Sequence, residues 1–285
     1  MAIGENPKNE TMYCYHTHTH FCDGSSHPED YVKEALKLGF HSLGFSGHAP
    51  VPFENKFAIP ENKMQEYCDT ILHLKEKYRN QIQILLGLEI DGIPGIMPSF
   101  DHFRTTYGLN YTIGSVHLVY NPANGRLWFI DGALRDTYDK GLEKIMGGDI
   151  RQGVTLYYQQ IQQMVQNEKP DIVGHLDKIC MHNAGRYFSS DEEWYQNLVK
   201  ETLEFIAKVG GIVEINTRGI YKGRSTQLYP DATWLPILKE LGIPVTISAD
   251  AHQPGELALL YEETLALLQH KGFKKTFIKG LECYQ

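Results

Sequence analysis

The sequence contains no C-x-x-C pair: its five cysteines, Cys14, Cys22, Cys68, Cys180 and Cys283, are odd in number and widely scattered. That excludes a disulfide framework and a thiolate zinc site, and the thiols read as reduced and structural. No stretch approaches the roughly 20 apolar residues of a membrane span. The polar start, Met1 to Thr11, has no basic-then-apolar signal pattern, so a soluble cytoplasmic protein with no membrane partner is expected. Positive charge is in deficit, 27 Lys and Arg against 35 Asp and Glu. A net charge of −8 offers no global attraction to nucleic acid, although a local basic patch could still hold a small phosphate. Internal repeats, low-complexity tracts and charged linkers are also missing. With 285 residues, 42% of them hydrophobic, one domain spanning the whole chain is expected. No signal speaks to an oligomeric state.

What is present is an alternation of short β-rich runs with longer amphipathic ones, which predicts an α/β fold with a parallel sheet covered by helices. Seven strands are expected, at Met12–His16, Ser42–Ser46, Ile82–Leu88, Tyr111–Val116, Ile172–Gly174, Gly211–Asn216 and Pro244–Ala249. A helix from Pro28 to Gly39 follows a capping-box pattern at Ser26 and Glu29, and another from Pro60 to Tyr78 carries an apolar stripe at Met64, Tyr67, Ile71, Leu74 and Tyr78. Further helices are expected at 151–167, at 191–209 with a box from Ser190 to Glu193, at 232–241 and at 255–270. The segment from Pro94 to Leu109 has no clear pattern, and Trp128–Gly148 reads as a loop or lid. A closed barrel and an open sheet both fit seven such units, and both gather function at the carboxyl ends of the strands.

Thirteen histidines is a high count, and the excess sits where apolar runs end. His16 and His18 are two apart on the first strand, so both can point at one ion. Asp250 and His252 repeat that geometry after the last strand. Converging these two pairs requires a fold that joins the first and last strands, as a barrel does. Between them, His48, Glu89, His117 and His175 each follow a predicted strand, and Asp23 adds a loop carboxylate. The remaining strand ends in Glu214-Ile215-Asn216-Thr217-Arg218, polar groups suited to orienting ligands or meeting substrate. Nine donors, His16, His18, Asp23, His48, Glu89, His117, His175, Asp250 and His252, exceed what one ion can use. Two or three ions sharing one or two carboxylates fit better. Imidazole with carboxylate and no thiolate suits Zn, Mn or Fe(II). Clustered ions favour phosphoryl transfer to water, so a small phosphate ester is the expected substrate class.

In order and spacing, His16-Thr17-His18-Thr19 with Asp23-Gly24, Gly47-His48, Gly87-Leu88-Glu89, Ser115-Val116-His117, Gly174-His175 and Asp250-Ala251-His252 resemble the polymerase and histidinol phosphatase (PHP) family. Phe21-Cys22, Gly47-His48-Ala49-Pro50, Glu89-Ile90-Asp91, Glu214-Ile215-Asn216-Thr217 and Asp250-Ala251-His252-Gln253 are similar to its monofunctional histidinol-phosphate phosphatases. The resemblance implies a distorted (β/α)7 TIM-like barrel and hydrolysis of L-histidinol phosphate in histidine biosynthesis. It also implies a trinuclear site: His16, His18, Glu89 and Asp250 on one ion, Asp23, His48 and His252 on a second, and His117 and His175 on a third shared through Glu89. Asp250 would carry a proton beside His252, and Arg218 and Arg186 would flank the phosphate. Cys14 stands where the family often has aspartate, and Asp23 where it often has histidine; both bear on metal affinity. Other readings of a similar site are phosphodiesterase, nuclease, phosphotyrosine phosphatase, amidohydrolase-type deaminase and silent metal-binding protein.

Taken singly, His20, His27, His41, His73, His102, His182 and His270 read as ordinary core or surface residues, with His20 and His182 near enough to the motifs to reach substrate. Tyr157, Tyr158 and Trp194 fall at helical spacing and read as packing, while Tyr221 and Trp128 are candidates to stack on a substrate ring.

Overall fold

The computed structural model describes residues 12–285; the Met1 to Thr11 stretch lies outside them. In chain order the strands are β1 (Met12–Cys14), β2 (Phe40–Phe45), β3 (Gln83–Asp91), β4 (Tyr111–Ser115), β5 (Leu118–Asn121), β6 (Arg126–Phe129), β7 (Ile172–Val173), β8 (Ile212–Asn216), β9 (Val245–Ser248), β10 (Lys275–Ile278) and β11 (Leu281–Tyr284). The helices are α1 (Pro28–Leu38), α2 (Met64–Lys77), α3 (Phe100–Tyr107), α4 (Arg135–Met146), α5 (Ile150–Glu168), α6 (Cys180–Asn183), α7 (Glu193–Val209), α8 (Arg218–Tyr221), α9 (Leu235–Glu240) and α10 (Tyr261–His270).

Seven strands, β1-β2-β3-β4-β7-β8-β9, run parallel in that order, each followed by a helix before the next begins. No ladder joins β1 to β9 along their lengths among the described residues. The circle closes just past their carboxyl ends, where Thr17 bridges Ala251 and the backbone exchanges bonds of 2.8 and 3.1 Å. At the amino ends a hairpin of β10 and β11 takes the gap: β11 pairs antiparallel with β9 through Tyr284 and Val245, and the Glu282 N–H donates to Tyr15 Oη at 2.9 Å. The fold is the distorted seven-stranded barrel, tight at the functional rim and opened by an inserted hairpin at the other.

Alternation along β3 explains the interior. Gly87 faces inward, and a Cβ there would meet the Tyr111 ring at 2.5 Å; Glu89 and Asp91 continue the same face toward the rim. Leu86, Leu88 and Ile90 face the other way, into the buried layer under the helices. All seven expected strands occur.

The caps differ from the pattern. His27, not Ser26, caps α1 by accepting the Glu29 N–H at 3.2 Å, and Gly39 ends the helix at φ 80°. The Ser190–Glu193 box does not form: Glu192 sits at the cap of α7 and its carboxylate accepts the Ser189 N–H at 2.8 Å. The segment read as a loop or lid carries α4, and the Pro94–Leu109 stretch carries α3, capped by Ser99. Trp128 does not reach any site: it is fully buried, its indole N–H donates to Tyr138 O at 2.9 Å, and glycines 141 and 153 lie against its ring. No helix among the described residues is long and apolar enough to cross a membrane.

Candidate metal centre

All nine candidate donors meet at the rim where the barrel closes. Glu89, 2% exposed, is the hub. Its Oε2 lies 3.1 Å from His16 Nε2, 3.4 Å from His18 Nε2 and 3.1 Å from His48 Nδ1. Its Oε1 lies 3.4 Å from His117 Nε2 and 3.0 Å from His175 Nε2, and accepts the Ser115 hydroxyl at 2.6 Å. Asp250 Oδ1 is 3.4 Å from His18 Nε2 and 3.8 Å from His16 Nε2. Asp23 faces His252 at 3.2 Å, His18 at 3.5 Å and His48 at 3.7 Å. Three groups thereby form, each tight enough for one ion: His16, His18 and Asp250; His18, Asp23, His48 and His252; and His48, Glu89 and His117.

Several of these nitrogens are buried without a hydrogen bond, His16 Nε2, His18 Nε2 and His48 Nδ1 among them. Orphaned buried polar atoms are costly unless something else meets them. The spacing says what: two donors each about 2.1 Å from a tetrahedral ion lie roughly 3.4 Å apart. The nitrogen–oxygen separations around Glu89 and Asp250 run from 3.0 to 3.8 Å and bracket that value. The donor set fits divalent ions.

Outer groups aim the rings. His16 Nδ1 is 2.6 Å from Glu214 Oε1, which directs Nε2 at Glu89. Glu214 Oε2 accepts the His175 N–H at 2.8 Å and the Asn216 amide at 3.0 Å. Asp91 Oδ1 holds His117 through both its N–H, at 2.8 Å, and Nδ1, at 3.0 Å. His252 Nδ1 lies 3.0 Å from the Asp250 carbonyl. Asp250 itself sits in the left-handed region at φ 50°, a conformation aspartate tolerates better than most residues and one that turns its carboxylate inward. Gly24 follows Asp23 because a Cβ there would meet the His18 backbone at 2.5 Å.

The charges are polarised. Burial opposes protonation of His16, yet Glu214, Glu89 and Asp250 outweigh it and hold the ring well above its ordinary value. His18 moves the opposite way, lowered to about 3 by burial and by His252 and His48. Burial also opposes protonation of His117, but Asp91 and Glu89 raise it to about 10. Glu89 and Asp250 stay well below the carboxylate range against burial, because imidazoles face both and the Arg218 guanidinium also faces Asp250. The carboxylates demand positive charge that only some rings can supply as protons; bound cations would meet the whole demand.

The pocket over this cluster has a volume of about 210 Å³ and is walled by Phe129, Asp131, Arg218 and Arg224. Arg218 packs against Asp250, its Nη1 donating to the Asp250 carbonyl at 2.7 Å. Arg186, expected at the phosphate, does not reach the pocket. Its guanidinium is forked onto Asp139 at 2.7 and 2.9 Å and donates to His182 O. Arg224, exposed and without an ion pair among the described residues, lines the pocket instead. Tyr221 donates to Ala249 O at 2.8 Å, so it supports the wall. His182 meets Gly132 O at 2.7 Å behind the pocket, and His20 meets Ser26 O at 3.3 Å, away from the cluster. Cys14 donates to His16 O at 3.4 Å and is no donor to the centre. A wider groove of about 900 Å³ lies alongside, shares only Arg224 with the pocket and holds none of the nine residues.

Four contributors were given no role in the sequence reading. Asp91 stands there only within the Glu89-Ile90-Asp91 motif, although its place two positions beyond Glu89 on one strand face marks it for the rim. Glu256, four residues after His252, accepts the His252 N–H at 2.8 Å. Asp131 and Lys178, 3.3 Å apart, come from irregular segments with no periodic signal.

A family profile, the PHP domain, matches residues 15–218. The chain belongs to the PHP family. Among relatives of this PHP chain, the histidinol-phosphatase of Bacillus subtilis is 30% identical over 265 residues, covering 88% of this chain and 97% of its own. The histidinol phosphate phosphatase of Lactococcus lactis, solved with zinc, L-histidinol and phosphate, superposes with a TM-score of 0.67 at 23% identity, over 95% of this chain and 98% of its own. A proposed histidinol phosphatase of Listeria monocytogenes gives 0.76 at 22% identity, over 88% and 99%. Both structures share the barrel.

Proposed function

We propose that this PHP chain is a metal-dependent phosphomonoesterase that hydrolyses L-histidinol phosphate to L-histidinol and phosphate, in the cytoplasm, with a small molecule rather than nucleic acid as its partner. The observation that carries the reading is the Glu89 hub: a buried carboxylate shared by five imidazoles, three of which point unbonded nitrogens at it. In this assignment His16, His18, Asp23, His48, Glu89, His117, His175, Asp250 and His252 hold two or three ions of Zn, Mn or Fe. Such ions, when bound, would lower the pKa of a bound water toward about 7 and offset charge on the phosphate.

The chain's own groups do the rest. Arg218, braced by Asp250 and Tyr221, presents its remaining N–H groups to a phosphate oxygen, and Arg224 adds charge at the mouth. Asp250, turned toward the cluster and held by Asn216 at 3.3 Å, is placed to accept the proton of the attacking water, with His252 beside it.

The test is phosphate release by metal-loaded protein from L-histidinol phosphate, 4-nitrophenyl phosphate, a phosphodiester and a phosphotyrosine peptide, with and without chelator. The expected result is a preference for histidinol phosphate, abolished by chelation and restored by Zn, Mn or Fe. Undiminished turnover after complete metal removal would refute the mechanism, and preference for the diester or peptide would reassign the substrate.

A further inference from the structure

One carboxylate on the pocket wall belongs to none of the three ion groups. Asp131 follows β6, where the Ile130 N–H donates to His117 O at 2.9 Å and fixes the next residue against the cluster. Its Oδ2 is 3.8 Å from His117 Nε2, and its Oδ1 is 3.3 Å from the amine of Lys178, itself 2% exposed. No described residue donates a hydrogen bond to either oxygen. The segment is braced: the Gly132 carbonyl meets His182, and Phe129 stacks on Phe57 at 6.1 Å, which in turn abuts His48 at 5.4 Å.

An extra negative charge in a pocket built for a phosphate dianion is unfavourable unless something offsets it. Lys178 does so from behind, on the Oδ1 side. The Oδ2 side, 3.8 Å from His117 Nε2, accepts no hydrogen bond from a described residue, and the side chain lines the pocket. A ligand that brings a cation close to its phosphate fits that wall. The ammonium nitrogen of histidinol phosphate is three bonds from the ester oxygen, so it stays near whichever wall faces the bound phosphate. The other carboxylates of the pocket, Asp23, Glu89 and Asp250, already face two or more imidazoles each; Asp131 has the open oxygen.

We propose that Asp131 receives the substrate's ammonium group and makes the site selective for phosphate esters that carry a cationic nitrogen beside the ester carbon. The proposal rests on the reading of the chain as a histidinol-phosphate phosphatase. Asp131 then acts by binding, holding the carbon chain over Phe129 while the phosphate engages Arg218.

The experiment compares two esters, L-histidinol phosphate and its des-amino analogue 3-(imidazol-4-yl)propyl phosphate, on metal-loaded wild type and D131N. The readout is the ratio of their kcat/KM values. Wild type favours the amine, and D131N reduces that ratio by roughly ten- to a hundredfold, mainly through the KM of the aminated ester. Calorimetric affinity for L-histidinol weakens by a similar factor. Because D131N leaves Lys178 buried without its partner, D131N/K178M, which removes both charges, is measured beside it and shows the same lost ratio. An unchanged ratio, or an equal fall on both esters accompanied by loss of bound metal, overturns the proposal. Wild type that turns over both imidazole esters equally overturns this proposal alone. Wild type that cleaves 4-nitrophenyl phosphate but neither imidazole ester overturns the histidinol-phosphate reading and this proposal with it.

Discussion

At the carboxyl rim of the barrel Glu89 is enclosed by imidazoles, while at the opposite end Glu282, equally buried, faces Lys275 Nζ at 2.7 Å and His41 Nε2 at 2.9 Å. Both carboxylates need positive charge, since an unpaired buried one costs several kcal/mol. Glu282 finds it in an amine on its own hairpin, which stays protonated at neutral pH. Glu89 finds only rings, each able to give up its proton and offer a lone pair. The first arrangement is complete within the chain and serves the closure of the sheet; the second accepts an exchangeable cation. The difference lies in which nitrogen bases surround the carboxylate, and it separates a structural end from a reactive one.

Exchanging the two carboxylates for amides should break that contrast most strongly. E89Q removes the shared charge of the hub, and we expect metal content to fall and kcat/KM to drop about a thousandfold or more, equivalent to ~4 kcal/mol of barrier. E282Q should leave metal content and KM unchanged and instead lower stability by roughly 1–3 kcal/mol, less than a fully buried pair costs because Lys275 and His41 are each 32% exposed. Metal analysis with phosphate release and urea denaturation on both variants checks this. Equal metal loss in the two would erase the distinction.

A subtler change sharpens it. Glu214 touches no open nitrogen of the cluster, but one of its oxygens is 2.6 Å from His16 Nδ1 and the other accepts the His175 N–H. Glutamine offers a single acceptor and must forfeit one of these contacts. E214Q should therefore weaken metal affinity by about 10- to 100-fold without emptying the site at saturating metal. Titration of zinc against a competing chelator measures it; wild-type affinity in E214Q would mean the outer carboxylate does not set the His16 tautomer.

The ease with which the rim could be read from sequence, against the difficulty elsewhere, follows the same division. The seven parallel strands announce themselves as apolar runs, and the convergence of His16 with Asp250 followed from requiring a fold that joins first and last strands. The β10–β11 hairpin was missed because Lys275–Ile278 and Leu281–Tyr284 are short and flank a turn with no strong signal, and their role depends on a gap that exists only in three dimensions. Arg186 illustrates a second limit. An arginine near a motif in sequence carries no mark of whether a phosphate or a partner such as Asp139 will occupy its fork. Asp131 is the converse: its chemistry is set by the pleat of β5–β6 against His117, and nothing in its neighbours announces that.

A third glutamate extends the comparison to the surface, where the smallest effect is expected. Glu29, in the first turn of α1, meets Lys77 Nζ at 2.6 Å at the end of α2 and Tyr78 Oη at 2.7 Å just beyond it, with Lys33 at 3.7 Å. The Lys77 contact, with help from Tyr78, holds its carboxyl down at about 2. A depressed carboxyl favours the folded state wherever the unfolded group would also be ionised, so the contribution is fully present above about 4.5 and fades as the pH falls toward about 2. Water competes for these partners, which limits the gain to about 0.5–1 kcal/mol. E29Q should lose that amount at pH 7, lose less at pH 3.5, and lose less again at pH 7 in 1 M salt, where screening weakens the pair. Both proteins are compared metal-free by urea denaturation, so that the rim contributes equally to each. A penalty that persisted unchanged in acid and salt would show that Glu29 acts through packing of α1 on α2, leaving charge out of it.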